Sequence, residues 1–483
     1  VRLGQALETG LGEAVFHAAF HAALAAESER RPFRWLATLR GFLSSQAVAA
    51  LFDAPWIPFY LAVIFLLHPA VGWLAVVAAT VLWMLAWVGE RRTGPLLRQA
   101  GREHEKLAQA LSDTLANAEV VEALGMADAL RRRWLARREA LQSLQTLAAD
   151  RGGTLRSATR FLRVAVQSLV LGLGAWLVLR GELSGGGMIA ASILLGRALA
   201  PVEQLIGHWR QWVEARDAWQ SLERFLARHP RRPPGLGLPA PRGRLELHEV
   251  VVAPPGREKP VLEGVGLELA PGTALGVVGP SAAGKSALAR VLVGVWRPIE
   301  GEVRLDGARI ADWNRDELGR WIGYLPQDVE LFAGTVAENI ARFGPVEPKA
   351  VVRAARRAGV HEMILRLPQG YDTVIGPGGW VLSAGQRQRI GLARALFGDP
   401  RLIVLDEPDA SLDEAGEAAL VKAVVQAKQA CRTLVVVSHR ARILEAVDRV
   451  LVLRDGRAVA QGVPRRDAVD GMRAPRAAGG ERS

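Results

Sequence analysis

The sequence predicts a helical transmembrane domain followed by an α/β domain built around a phosphate-binding loop. Three observations carry this expectation. The 36 residues from Ala54 to Gly89 contain no Asp, Glu, Lys or Arg. The stretch Gly279-Pro280-Ser281-Ala282-Ala283-Gly284-Lys285-Ser286 fits the pattern G-x-x-x-x-G-K-[ST]. From Leu245 onward, short β-rich apolar runs alternate with helical patterns, as in an α/β domain.

The bulk numbers agree with a split chain. A length of 483 residues is too great for one ordinary core. Half of the residues are hydrophobic while 23% are charged, which is apolar for a soluble enzyme and charged for a bare membrane bundle. The net charge of +12 fits a nucleic-acid binder or basic flanks beside membrane spans. The long uncharged stretch decides for the membrane, so the lipid bilayer is an expected partner and nucleic acid is not. The single cysteine, Cys431, excludes an internal disulfide framework and a cysteine-rich zinc site. It reads as a small buried hydrophobe in a strand. The chain opens at Val1 on an amphipathic pattern with no signal peptide, so either a natural start upstream or an unusual start codon is expected.

Residues 1 to about 50 read as helix, with Leu3, Leu7, Leu11, Val15, Phe16 and Phe20 recurring at helical spacing. The uncharged stretch is long for one span of about 20 residues and fits two, with His68-Pro69 at the turn. Spans are expected at about 52–67 and 70–89, with Trp56, Trp73, Trp83 and Trp87 as interfacial anchors. Residues 90–160 are charged and helical, and as two antiparallel legs bent near Gly125 they would project about 50 Å. A second apolar pair follows at about 161–179 and 183–200, joined by Arg180-Gly181-Glu182. The triplet Gly185-Gly186-Gly187 weakens the local helix or allows close packing. The 90–163 segment carries 14 Lys and Arg, against one in the two opposite turns. Positive charge on the inner side then puts 1–50, 90–160 and everything after 200 in the cytoplasm. The helical domain is expected over 1–229 and a Pro/Gly-rich linker over 230–243. The α/β domain follows over 244–463, and then a disordered tail at 464–483.

The phosphate loop has the right context, since the strand candidate Ala274–Val278 precedes it and a helical pattern follows. Small residues let the backbone wrap a phosphate, and N–H groups of the turn and helix start point at it. Lys285 would reach the β- and γ-phosphates, and the Ser286 hydroxyl would ligate Mg²⁺. Four further motifs come after it. Gln327, behind the strand candidate Trp321–Leu325, is an amide that can ligate Mg²⁺ or hold an attacking water, or simply a surface residue. Ser383, Ala384, Gly385 and Gln386 open a helix. Ser383 is a good N-cap, and such a helix start is also a phosphate site. Leu402–Leu405 is an apolar strand ending in Asp406 and Glu407, placed to hold Mg²⁺ and to accept a proton from water, respectively. Thr433–Val437 is another, ending in Ser438 and His439; beside a γ-phosphate this His can orient water and Glu407.

With Ser411-Leu412-Asp413 after the acids, these motifs in this order resemble the nucleotide-binding domain of an ABC transporter over about 244–463. The span-rich half before it resembles the exporter arrangement. Phe52-Asp53-Ala54-Pro55-Trp56, the run from Met188 to Pro201 and the phosphate loop resemble the type I secretion permease/ATPase family. So do Asp328 to Val336 and Asp413 to Leu420. The nearest branch looks like the alkaline-protease secretion ATP-binding proteins. That resemblance implies ATP and Mg²⁺ as cofactors and a bacterial inner-membrane location. It also implies export of an unfolded polypeptide with a membrane-fusion protein and an outer-membrane channel. ATP would bind at two composite sites of a homodimer, the loop of one copy facing Ser383 and Gly385 of the other. Glu407 would be the catalytic base, His439 and Gln327 would sense the γ-phosphate, and Asp413 would couple the sites. The bend near 119–130 would pass closure of the ATPase to the spans.

Three departures from the family pattern stand out. Four spans are found where the family has six. Ala384 replaces the usual Gly, which would crowd the site slightly. No aromatic stands in 250–256 to stack on adenine. An exporter of lipid or small molecules shares every ATPase motif, and a truncated, non-transporting remnant is a further reading.

Overall fold

The computed structural model describes residues 2–25, 31–231, 235–376 and 381–463. The expected tail at 464–483 and residues 232–234 of the expected linker lie outside them. The chain divides into two compact units, and the change falls between Arg231 and 232.

The N-terminal unit is all helical: α1 (Arg2–Leu24), α2 (Pro32–Leu43), α3 (Gln46–Asp53), α4 (Ile57–Leu67), α5 (Pro69–Ala116), α6 (Ala118–Ala123), α7 (Ala127–Leu179) and α8 (Gly185–Arg228). The segment 1–50 is therefore three helices rather than one. Between α4 and α5 only His68 is extended, and its Nδ1 accepts the Ala70 N–H at 3.2 Å, capping α5 ahead of Pro69 at the first helical position. The break between α6 and α7 falls at Gly125, whose φ of +64° suits a residue without a Cβ. Gly185, Gly186 and Gly187 form the first turn of α8, where Ser184 accepts the Gly187 N–H. They start a helix instead of interrupting one.

Among the described residues, α5 and α7 are long and apolar enough to cross a membrane. The pair α3 and α4, bent by 45°, makes up to a third, and Gly185–Pro201 of α8 is a shorter apolar helix. Ile64, Val71, Ala75, Leu82, Val170, Leu177, Leu195 and Leu199 close the seam between α4, α5, α7 and α8. At the ends of two apolar stretches, Arg91 lies over the Trp87 ring and Arg180 over the Trp176 ring, each at 3.8 Å. Helices α1 and α2 and the C-terminal part of α8 share a separate seam of Val15, Leu36, Leu39, Ala215, Ala218 and Leu222.

The C-terminal unit contains β1 (Leu245–Val252), β2 (Leu262–Leu269), β3 (Ala274–Val278), α9 (Lys285–Leu292), β4 (Glu300–Leu305), β5 (Ala308–Arg309), α10 (Arg315–Trp321) and β6 (Ile322–Leu325). These lead into β7 (Gly334–Thr335), α11 (Val336–Ile340), α12 (Pro348–Arg357), α13 (His361–Leu365), β8 (Val374–Ile375) and α14 (Ala384–Leu396). Then come β9 (Leu402–Asp406), α15 (Glu414–Gln429), β10 (Thr433–Val437), α16 (Ala441–Glu445), β11 (Arg449–Arg454) and β12 (Arg457–Gly462). A six-stranded sheet runs β12-β11-β3-β10-β9-β6, parallel except for the edge strand β12. A second, antiparallel sheet runs β2-β1-β4-β5. Strands β3, β9 and β10 are buried at every residue, as continuous apolar runs in a parallel sheet require.

One expectation needs correction. Cys431 is exposed and not in a strand. It sits in the left-handed turn (φ +54°) that ends α15, and its N–H donates to Lys428. The strand begins only at Thr433. Residues 235–243, linker-like in composition, lie against the α/β unit. Leu236 exchanges backbone hydrogen bonds with Asp312 and Asn314. A Cβ on Gly235 would stand 2.4 Å from the Trp313 carbonyl, so only glycine allows this approach.

Candidate active site

The carboxyl ends of β3, β9 and β10 bring the sequence-selected residues to one edge of the parallel sheet, where α/β sheets bind ligands. Gly279 follows β3 directly. A Cβ there would lie 2.2 Å from the Leu453 carbonyl oxygen, and one on Gly284 would lie 2.7 Å from that of Val261. Both glycines have positive φ, and Ala282 between them is left-handed at +64°. This strained turn ends at α9, whose N-cap is Gly284. Pro280 and Ser281 complete its outer side, while Ala283 and Lys285 are buried. The Lys285 ammonium donates to the carbonyls of Gly279 (2.8 Å) and Pro280 (2.9 Å). Burial pushes its pKa down, opposed by the charges of Glu407 and Asp406.

Asp406, the last residue of β9, is fully buried, and both carboxylate oxygens lack a hydrogen-bond partner. Burial pushes its pKa up, and the Ser286 hydroxyl beside it works in the opposite direction. A buried carboxylate with two orphaned oxygens next to a hydroxyl is costly without a cation. The oxygen-only donor set fits Mg²⁺. Glu407 follows, with a left-handed φ of +47° and its N–H donating to Val437 (3.0 Å). Its carboxylate accepts from Gln327 Nε2 at 2.9 Å, so the structure brings those two together. Gln327 is exposed two residues past β6, and His439 is exposed two residues past β10.

Ser383 caps α14 in a full capping box: its Oγ accepts the Gln386 N–H, and Gln386 Oε1 accepts the Ser383 N–H at 2.8 Å. Ser383 is exposed, and Gly385 and Gln386 are partly so. Ala384 is exposed too, so its extra methyl meets no crowding within this chain. Among the described residues, no hydrogen bond joins 383–386 to the phosphate loop. Asp413 caps α15 by accepting the Gly416 N–H at 2.9 Å and pairs with Arg389 of α14. The Gly416 bond, with Arg389 beside it, pulls its pKa down.

Sequence reasoning missed three supporting residues. Gln388 is buried and bridges α14 to the loop after β9. Asp409, buried in that loop, accepts from Ser438 Oγ at 3.0 Å, so it ties the loop to the residue before His439. Arg440 joins Glu417 at 2.5 Å and Asp409 at 3.4 Å. The signal for Gln388 was present: it stands one helical turn before the buried Leu392, a polar residue on an apolar stripe.

Fold and site define an ATP-binding cassette transporter. Residues 262–410 match the ABC transporter family model, and residues 34–200 match that of the ABC transporter transmembrane region. The chain is 44% identical over 469 residues to the type I secretion system ATP-binding protein PrsD of Rhizobium meliloti, covering 96% of this chain and 80% of that one. It is 30% identical to the leukotoxin translocation ATP-binding protein LktB of Mannheimia haemolytica, over 89% of this chain and 61% of LktB. The solved structure of a bacterial Atm1-family ABC exporter with ATP bound superposes with a TM-score of 0.84 at 27% identity, covering 96% of this chain and 82% of that one. The chain belongs to the ABC exporters of type I secretion systems. It is a membrane protein whose cytoplasmic unit binds and hydrolyses ATP to drive transport.

Proposed function

We propose that this exporter acts as a homodimer in the bacterial inner membrane, moving an unfolded polypeptide through a membrane-fusion protein and an outer-membrane channel. The observation that carries the reading is the 44% identity, along nearly the whole chain, to a protein of type I secretion. The exposed turn Ser383–Gln386 supports the homodimer, because it offers a phosphate-binding helix start that its own phosphate loop does not use.

The residues divide the chemistry as follows. Backbone N–H groups of 281–286 and the Lys285 ammonium bind the β- and γ-phosphates. Ser286, Asp406 and Gln327 would hold Mg²⁺, which when bound neutralises charge on the phosphate oxygens. Glu407 takes the proton of the attacking water, and its hydrogen bond from Gln327 fixes the carboxylate. His439 donates to the γ-phosphate and keeps water and Glu407 in line. Ser383, Gly385 and Gln386 of a second copy close the site, and Asp413 relates the two sites. The bend at 119–130 carries closure to the spans.

The test is secretion. The full-length protein is expressed with a type I fusion protein and channel, and a cargo carrying a C-terminal signal is followed in the medium. ATP-dependent appearance of cargo is expected. ATP-dependent extrusion of a fluorescent lipid without cargo would establish the lipid-exporter reading instead, and ATP turnover with neither would mark a non-transporting protein.

A further inference from the structure

Gln388 lies in the second turn of α14 and is 4% exposed. Its amide makes two bonds to one loop: Nε2 donates to the Glu407 carbonyl at 2.9 Å, and Oε1 accepts the Ser411 N–H at 3.0 Å. Gly385, one turn earlier, packs on the same loop, where a Cβ would stand 2.8 Å from the Ser411 carbonyl oxygen. Glu407 itself is left-handed, a backbone state that persists in a non-glycine residue only when its surroundings impose it. Gln388 holds the carbonyl of this residue.

We propose that Gln388 is a positioning residue for ATP hydrolysis, a tie through which the turn Ser383–Gln386 sets the place of the Glu407 carboxylate. In the homodimer that turn closes the second copy's site, while Glu407 serves its own copy's site. The tie therefore lets each site register the closure of the other. The inference rests on the roles proposed above for Glu407 and the 383–386 turn, and adds the link between them. The amide suits this place because it donates and accepts at once without charge. Leucine would remove both bonds, leaving the Glu407 carbonyl with only the longer bond from the Ala410 N–H (3.3 Å) and the Ser411 N–H without its side-chain acceptor. An ionised glutamate would keep the acceptor but turn a negative charge on the carbonyl.

Steady-state ATP turnover of the full-length protein in lipid nanodiscs tests this. In Q388L, kcat is expected to fall about 10-fold with an unchanged KM for ATP, the size of one or two lost hydrogen bonds. In Q388E, kcat relative to wild type should be low near pH ~8 and recover toward pH ~6, because the protonated carboxyl again donates to the Glu407 carbonyl and accepts from Ser411. A merely structural role would not give a pH-dependent kcat at constant KM. A wild-type kcat per folded molecule in Q388L, a loss confined to KM, or a pH-independent Q388E defect would overturn the proposal. Should Q388L not fold, the Q388E pH series decides. E407Q is run in parallel: wild-type turnover there removes the role of Glu407 itself, whereas a dead E407Q beside normal Gln388 variants removes only the link.

Discussion

The two units treat their large apolar side chains in opposite ways. In the C-terminal unit most of them point into the core, with exceptions such as Ile299, Phe332 and Val374, and β3, β9 and β10 bury every residue. In the N-terminal unit they point outward as well. Leu179 is 88% exposed, Phe161 76% and Leu169 58%, all on one side or the other of α7. The same side chains are stable in both places because the solvents differ. Hydrocarbon around a span imposes no hydrophobic driving force to bury leucine, whereas water around the α/β unit does. The difference also locates the machinery. Costly polar burial is concentrated at the strand ends of the C-terminal unit, where Asp406 and Lys285 lie.

Charge placed on exposed apolar residues tests the contrast. Leu169→Asp puts a carboxylate on the outer surface of an apolar segment and is expected to cost about 2.5–3.5 kcal/mol of insertion free energy. Membrane fractionation would then show less inserted protein. Equal insertion of variant and wild type would break the comparison. Asp406→Asn probes the other unit. It should abolish ATP turnover yet stabilise the nucleotide-free protein by about 1–3 kcal/mol, because burial penalises the ionised carboxylate more than the nearby Ser286 hydroxyl and Lys285 offset. The sign follows from the raised pKa of Asp406. The ionised form is penalised in the folded state, so the gain is full above the folded-state pKa. It fades as pH falls to the ordinary carboxylate range near ~4. Thermal melting of the two proteins across pH reads this directly, and a destabilised variant at neutral pH would contradict it. The smallest effect is expected at Val459, 61% exposed on the edge strand β12. Val459→Asp should change melting by no more than about 0.5 kcal/mol, since water already surrounds it.

The same contrast explains what could be read from the sequence. The phosphate loop, the acids at 406–407 and the 383–386 turn are each contiguous, and their chemistry shows in a few residues. Their meeting depends on the parallel order β3-β10-β9, which no local pattern states. Gln388 escaped because a glutamine beside two arginines reads as solvent-facing until the helix phase places it inward. Residues 235–243 read as linker because Pro and Gly are common there. That composition says nothing of the backbone contacts that hold Leu236 to Asp312 and Asn314. In the helical unit hydropathy marks where apolar stretches lie but not where helices end. Helices α5 and α7 run 48 and 53 residues, straight through the change from apolar to charged sequence. The helical period is indifferent to that change, so element boundaries and hydropathy boundaries part company.

We propose that Glu407, held by Gln327, acts in hydrolysis at a site completed by a second copy of the chain. Glu407→Gln in the full-length protein, assayed for ATP turnover and for retained ATP, tests it most directly. Turnover lowered by at least about 100-fold is expected, as loss of a general base allows. ATP should be kept in a trapped dimer that survives gel filtration. Unchanged turnover, or lost turnover with ATP held by monomers alone, would contradict it.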